Sequence, residues 1–311
     1  MNIVVMGAGS LGGFYGGLLT RAGNDVTFIA RGRSLEALRT NGLQIRSKLA
    51  GDFTIPVKAT GEISNLPPPD LVFLSVKAYD LDVATETISP IVAGHTTVLA
   101  IQNGIDHPER ISRFVERSRI VPGVVYVSAT IVEPGIIEQI GGPGRVLIGE
   151  LDGGISPRIE MIRDVFAEAA IPIEIYENIW VHLWEKFMAI CAMSGVSALT
   201  RLTLRGILDT AESRLLYRDV MAEVTAVARA SGVDLPETTA DDFLATMLQM
   251  PALPLRGSMA YDLLAGRRLE LDTLNGTAVR MGDELGVPVP MNRAIYRALK
   301  PLADGGAPAS S

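Results

Sequence analysis

Asn2-Ile-Val-Val-Met-Gly-Ala-Gly-Ser-Leu-Gly12 is the stretch that decides the fold. Its apolar, β-branched start predicts a short buried strand that stops at Gly7. The glycines at 7, 9 and 12 have GxGxxG spacing, and a Gly- and Leu-rich helical stretch follows to about Ala22. In that setting the first glycine permits a tight turn. The second lets a pyrophosphate approach the backbone, and the third lets the helix pack closely on the sheet. Free N–H groups at the helix start then bind the phosphates. Gly7, Ala8, Gly9, Ser10, Leu11 and Gly12 are therefore the candidate phosphate cradle. A tight strand–helix turn that holds no cofactor is the alternative.

The next strand run, Asp25–Ala30, refines this reading because it ends in Arg31-Gly32-Arg33, with no carboxylate. A site that prefers NAD carries an acidic residue here for the ribose 2′-hydroxyl, whereas arginine pairs with the 2′-phosphate of NADP. Arg31 thus favours NADP over NAD, the alternative being that both arginines are solvated surface charges.

Working outward, strand patterns at 70–76, 97–101, 121–130 and 135–148 alternate with helical stretches at 34–41 and 78–88. Residues 43–55 read as irregular structure or a hairpin. The fold class is therefore α/β, a Rossmann-type doubly wound parallel sheet. After a helix at 156–169 and a last strand near 171–175, nearly everything has helical period, with helices expected at 178–192, 207–231, 239–249, 269–285 and 292–302. Two domains follow: 1–170 for the dinucleotide and 171–311 as an all-helical substrate domain, with the active site expected in the cleft between them.

Composition excludes other classes. With 311 residues, 48% hydrophobic and 20% charged, the chain can bury sizeable cores without staples. A net charge of −7 is a poor footprint for nucleic acid. The single cysteine, Cys191, fits a reducing cytoplasm, and the three histidines have no metal-ligand spacing. No targeting segment is visible, and His182, Glu185 and Lys186 interrupt the longest apolar region, which argues against a membrane span. The apolar helical half offers a surface for a homodimer.

That region, Asn178-Ile-Trp-Val-His-Leu-Trp-Glu-Lys-Phe-Met-Ala-Ile-Cys-Ala192, is apolar around most of its circumference and so predicts a buried helix. Glu185 and Lys186 are adjacent in mid-helix, so at least one should face the interior or a cleft. A desolvated lysine has a lowered pKa and can protonate an alkoxide as hydride arrives. A lysine whose stem covers apolar surface while its ammonium stays in water is equally compatible with the spacing. Glu270 and Asp272 lie at the expected start of the 269–285 helix, where negative charge is favoured; Glu270 either orients a ribose or a catalytic ammonium or simply stabilises that helix N-terminus. Ser258 offers a hydroxyl for a substrate carboxylate, or an ordinary helix cap.

These pieces together resemble the ketopantoate reductase (2-dehydropantoate 2-reductase) family over nearly the whole chain. The resemblance rests on Gly7-Ala-Gly9-Ser-Leu-Gly12, Arg31, Val76-Lys77-Ala78-Tyr-Asp80 and Gln102-Asn103-Gly104 in the first half. It continues through Trp184-Glu-Lys186, Ser258-Met259, Glu270-Leu-Asp272 with Asn275-Gly276, and Gly286-Val-Pro-Val-Pro290. It implies Lys186 as general acid, Asn103 at both nicotinamide ribose and substrate, and Lys77 on the cofactor side. It further implies Ala129 as a backbone contact to the nicotinamide amide, Ser258 as a substrate binder, and Glu270 near the ribose and Lys186. Where typical members carry asparagines four and eight residues after the lysine, this chain has Ile190 and Ser194, which bears on the substrate.

The resulting expectation is NADPH-dependent reduction of ketopantoate to pantoate in pantothenate biosynthesis. A paralogous NADPH-dependent reductase of another 2-oxo acid or an imine is the nearest alternative. A non-catalytic NADP(H)-binding sensor is the alternative from a different class.

Overall fold

A computed structural model describes residues 1–250 and 255–306. Its contacts divide the chain into two compact units: residues 1–102 with 107–179, and 103–106 with 180–311.

The first unit is built on ten strands among the described residues. They are β1 (Asn2–Met6), β2 (Asp25–Ile29), β3 (Leu43–Ser47), β4 (Phe53–Ile55), β5 (Lys58–Thr60), β6 (Leu71–Leu74), β7 (Thr97–Ala100), β8 (Ile120–Glu133), β9 (Ile136–Ile148) and β10 (Ile173–Ile175). Five helices accompany them: α1 (Ser10–Arg21), α2 (Gly32–Asn41), α3 (Leu81–Ile88), α4 (His107–Ile111) and α5 (Pro157–Glu168).

The order β5-β2-β1-β6-β7-β8 is parallel throughout, the doubly wound arrangement of a Rossmann-type sheet. Its central strands are buried on both faces, which is why they read as continuous apolar runs. Beyond β8 the sheet becomes mixed. β9 pairs antiparallel with β8 across the Pro134-Gly135 turn, then parallel with β3, and β3 forms an antiparallel hairpin with β4. β10 adds parallel to β9, which keeps the chain with this unit as far as Ile179.

The sheet curves around α1, which touches β1, β2, β3, β4, β8 and β9. Glycine makes this enclosure possible. A Cβ at Gly13 would stand 2.7 Å from Ile137, and one at Gly16 would stand 2.6 Å from the Phe28 ring. Phe14 and Tyr15 of α1 fill the core under the sheet, with the Tyr15, Phe73 and Phe166 rings meeting edge to face. Burying each such side chain contributes ~1.5–3 kcal/mol.

The second unit is helical: α6 (Ile179–Thr200), α7 (Leu204–Asp209), α8 (Ala211–Ala230), α9 (Thr239–Gln249), α10 (Ser258–Leu264), α11 (Asn275–Leu285) and α12 (Pro290–Leu299). Two expected helices are altered. The 207–231 helix breaks at Thr210, where Ser213 Oγ donates to the Ile207 carbonyl and Arg214 to the Leu208 carbonyl, replacing helical donors. The 269–285 helix begins only at Asn275. Residues 269–274 form an irregular segment ending in a turn, because Leu274 adopts a non-helical conformation (φ −95°, ψ −102°). No helix among the described residues is long and apolar enough to cross a membrane.

Candidate active site

In the first unit, the candidate cofactor residues gather at the C-terminal ends of the parallel strands. Gly7–Gly12 follows β1, Arg31 follows β2 and Lys77 follows β6. Gly7 turns the chain at φ +105°, and its carbonyl accepts a 2.9 Å hydrogen bond from Ser75 Oγ. A Cβ at Gly12 would collide with that carbonyl and that hydroxyl, so the first and third glycines are demanded by packing.

Gly9 differs: a Cβ there would meet nothing within 4 Å. It forms the N-cap of α1, whose start has no side-chain cap and no acidic residue. The loop thus leaves open space and uncapped backbone N–H groups of the kind a pyrophosphate needs, and the cradle fits a dinucleotide. Arg31, exposed at the N-cap of α2, presents a cation at the end of β2. Lys77 is exposed ahead of the 78–80 turn. Ala129 lies where the β8–β9 register shifts, a bulge that redirects the backbone.

In the second unit, the neighbours in mid-α6 take different roles. Glu185 turns to His182, 3.1 Å away. Lys186 keeps a little solvent access, yet its surroundings desolvate the ammonium. Burial lowers its pKa to about 8, and the nearby charge of Glu270 opposes that drop. Glu270, only 4% exposed, lies on the segment before α11 and not at a helix start, so helix-end stabilisation does not account for it.

Asn103 belongs to the short loop 103–106 that clusters with the helical unit. Gly104 of that loop packs on Thr273, so closely that a Cβ would stand 2.9 Å from its methyl group. Arg280 joins the same two pieces, donating 3.1 Å to the Asp272 carbonyl and reaching Asp106 at 3.5 Å. Asn103 and Glu270 are thereby carried on segments that pack together.

Ser258 opens α10 and is exposed. The preceding Gly257 presses on α6, where a Cβ would stand 2.5 Å from Ser194 Cα. Ser194 itself is 1% exposed, and its hydroxyl has no protein partner. In the two turns that follow Lys186, the partly exposed face of α6 comprises Ala189, Ile190 and Met193, all apolar.

Sequence reasoning did not single out Lys300, Tyr296 or Arg280, or find what Asp272 does. Lys300 Nζ binds both Asp272 carboxylate oxygens (2.7 and 2.9 Å), and Tyr296 donates to one of them at 2.9 Å. No local pattern signals contacts between residues so far apart in the chain.

A glycine cradle on a Rossmann-type sheet, accompanied by a desolvated lysine beside a buried carboxylate, defines a dinucleotide-dependent oxidoreductase. Comparison with known proteins specifies the family. Residues 3–153 match the ketopantoate reductase PanE/ApbA family, and residues 178–303 match its C-terminal domain. A 2-dehydropantoate 2-reductase of Nostoc sp. is 30% identical over 304 residues, covering 95% of this chain and 93% of that one. The crystal structure of a 2-dehydropantoate 2-reductase from Geobacter metallireducens GS-15 superposes with a TM-score of 0.90 at 32% identity, covering 97% of this chain and 99% of that one. A D-mandelate dehydrogenase in ternary complex with NADH and anilino(oxo)acetate shares the fold, with a TM-score of 0.89 at 22% identity over 97% of this chain and 98% of that one. The chain belongs to the ketopantoate reductase family of NADP-dependent oxidoreductases.

Proposed function

We propose that this protein reduces 2-dehydropantoate (ketopantoate) to pantoate with NADPH, the reduction that pantothenate biosynthesis requires. The observation that carries the reading is Lys186, desolvated on α6 with Glu270 acting on its charge. When bound, NADPH supplies the hydride that reaches the C2 carbonyl carbon. Gly7–Gly12 cradles its pyrophosphate, Arg31 pairs with the 2′-phosphate, and Lys77 and the Ala129 backbone take the cofactor side.

Lys186 Nζ donates a proton to the carbonyl oxygen as that oxygen gains negative charge, so the product leaves as a neutral alcohol. A proton from water then restores the ammonium. Asn103 holds both the ribose and the substrate, Ser258 holds the carboxylate or hydroxyl end, and Glu270 orients the ribose and Lys186. Ile190 borders the substrate, and Ser194, itself buried, lies one turn further along α6.

The apolar strip Ala189, Ile190 and Met193 favours a second reading, in which the same chemistry acts on a 2-oxo acid with an apolar side chain. A substrate hydroxyl against that strip would lose a partner, at a cost of ~1–3 kcal/mol. A purely binding, sensor-like role is disfavoured because it has no use for a desolvated proton donor. The test is NADPH oxidation at 340 nm with ketopantoate, a panel of other 2-oxo acids and NADH controls. Strong NADPH-dependent turnover of ketopantoate alone supports the first reading. Turnover of apolar 2-oxo acids alone transfers the assignment to the second, and NADPH binding without turnover of any of them overturns both.

A further inference from the structure

The segment that carries Glu270 has no regular structure of its own, and side chains from outside it fasten its course. Its fastenings converge on Asp272. From α12 and the turn after it, Tyr296 and Lys300 hold the carboxylate. From α11, Arg280 Nη1 donates to the Asp272 backbone carbonyl at 3.1 Å and Thr277 Oγ1 donates to it at 3.3 Å. Backbone hydrogen bonds add to these: Leu269 N–H donates to the Ala303 carbonyl, Leu274 N–H to that of Glu270, Gly276 N–H to that of Leu271, and Thr277 and Ala278 N–H to that of Leu274. The same segment also supports the Asn103 loop, through Thr273 against Gly104 and Arg280 towards Asp106.

The clamp is half-exposed, with Lys300 and Asp272 at 48% and 55% side-chain exposure. Exposed ion pairs add ~0–1 kcal/mol to stability. Four side chains on one turn residue are thus a poor investment in stability but an effective way to hold a geometry. Partial burial pushes the Asp272 carboxyl up, but the Lys300 and Tyr296 hydrogen bonds, with the charges of Lys300 and Arg280, hold it below the usual range. The clamp therefore stays ionised through neutral pH.

We propose that Asp272, Lys300 and Tyr296 form a positioning clamp that holds Glu270 against Lys186, and so ties the C-terminal helix to the proton donor. The inference rests on the reductase reading for its purpose but not for its test. The titratable and charged groups near this chain of contacts include Glu185 and His182 on α6, paired with each other, Arg267 with Asp262, and Arg268, just before the segment, Asp272, Arg280 and Lys300 around it, and Asp106 on the loop.

The test is direct titration of Lys186 by carbon-13 NMR of the lysine side chains, which number only five: Lys48, Lys58, Lys77, Lys186 and Lys300. The variants are Tyr296→Phe, which changes no charge, and Lys300→Met, with Glu270→Gln as the reference. Removing the Lys300 cation acts through space to raise the Lys186 pKa, whereas releasing Glu270 lowers it, so the two effects have opposite signs. The clamp requires a lower Lys186 pKa in all three proteins, largest in Glu270→Gln. It also requires kcat to fall severalfold in Tyr296→Phe and Lys300→Met with KM for NADPH unchanged. A Lys186 pKa that is unchanged or raised in Tyr296→Phe and Lys300→Met overturns the clamp, even if their melting temperatures drop. An unchanged value in Glu270→Gln overturns the coupling itself. Failure of the wild type to reduce any 2-oxo acid would overturn the reductase reading and leave the titration intact.

Discussion

Glu270 is buried where its charge acts on the Lys186 ammonium, partly offsetting the burial that brings that lysine to about pKa 8. The pair solves a chemical problem. A fully desolvated lysine without a carboxylate would lose its proton too early, and a solvated one would release it too reluctantly. A donor near the working pH transfers its proton most effectively.

Replacing the donor tests this most simply. Lys186→Met should lower kcat by ~10²–10⁴-fold, the usual worth of a positioned acid. Fluorescence titration should show NADPH affinity within a few-fold of wild type. Normal turnover in this variant would remove Lys186 from the mechanism.

The pH profile follows from the same residue. The donor is the protonated form, so kcat should be at its plateau below pH 8 and decline as pH rises through about 8. In Glu270→Gln the opposing charge is gone, the pKa falls further, and the alkaline limb should move to lower pH. Stopped-flow rates between pH 6 and 10 measure both limbs, and a limb that moves upward would contradict the assigned sign.

Cofactor choice is expected to rest on Arg31, the exposed cation at the end of β2. Arg31→Ala should raise KM for NADPH by about tenfold, or ~1.4 kcal/mol, and leave KM for NADH nearly unchanged. Equal loss for both cofactors would mean that Arg31 does not read the 2′-phosphate.

Ile190, on the apolar strip after Lys186, bears on the substrate. Ile190→Asn supplies a hydrogen-bonding group, worth ~0.5–1.5 kcal/mol when it is used. The kcat/KM ratio of ketopantoate to an unbranched apolar 2-oxo acid should therefore rise a few-fold to about tenfold. An unchanged ratio would place the side-chain site elsewhere.

The enclosure of α1 yields a stability prediction. Gly16→Val would drive side-chain atoms into the Phe28 ring, which even a Cβ would approach to 2.6 Å. Overpacking of this kind costs ~1–3 kcal/mol or more, beyond any gain in helix propensity. Thermal unfolding should show a clearly lowered Tm, whereas a Tm at or above the wild-type value would mean that the sheet yields there.

What could be read in advance depends on how local its cause is. Gly7, Gly9 and Gly12 were legible because strand, turn and helix start follow one another within a few residues; packing explains the first and third, and Gly9 is left with open space beside it. The apolar circumference of α6 was legible by periodicity, although the helix continues to Thr200, past the expected end. Thr210 was not legible as a break, because the competing hydrogen bonds come from Ser213 and Arg214 side chains that look compatible with a helix. The start of α11 at Asn275 was hidden for a related reason: residues 269–274 have helical periodicity, but their fastenings lie at 277, 280, 296, 300 and 303.

By itself, the sequence determined the glycine cradle, the alternating strand and helix order, the cation at Arg31 and the presence of a lysine in an apolar helix. These are short-range matters of backbone freedom and hydrophobic period. Only the tertiary structure decided that Glu185 turns to His182 while Lys186 is desolvated, that Glu270 acts on that lysine, and that Asn103 is carried with the helical unit. Burial and electrostatic pairing depend on distances through space, and the chain sets those only once distant helices have packed.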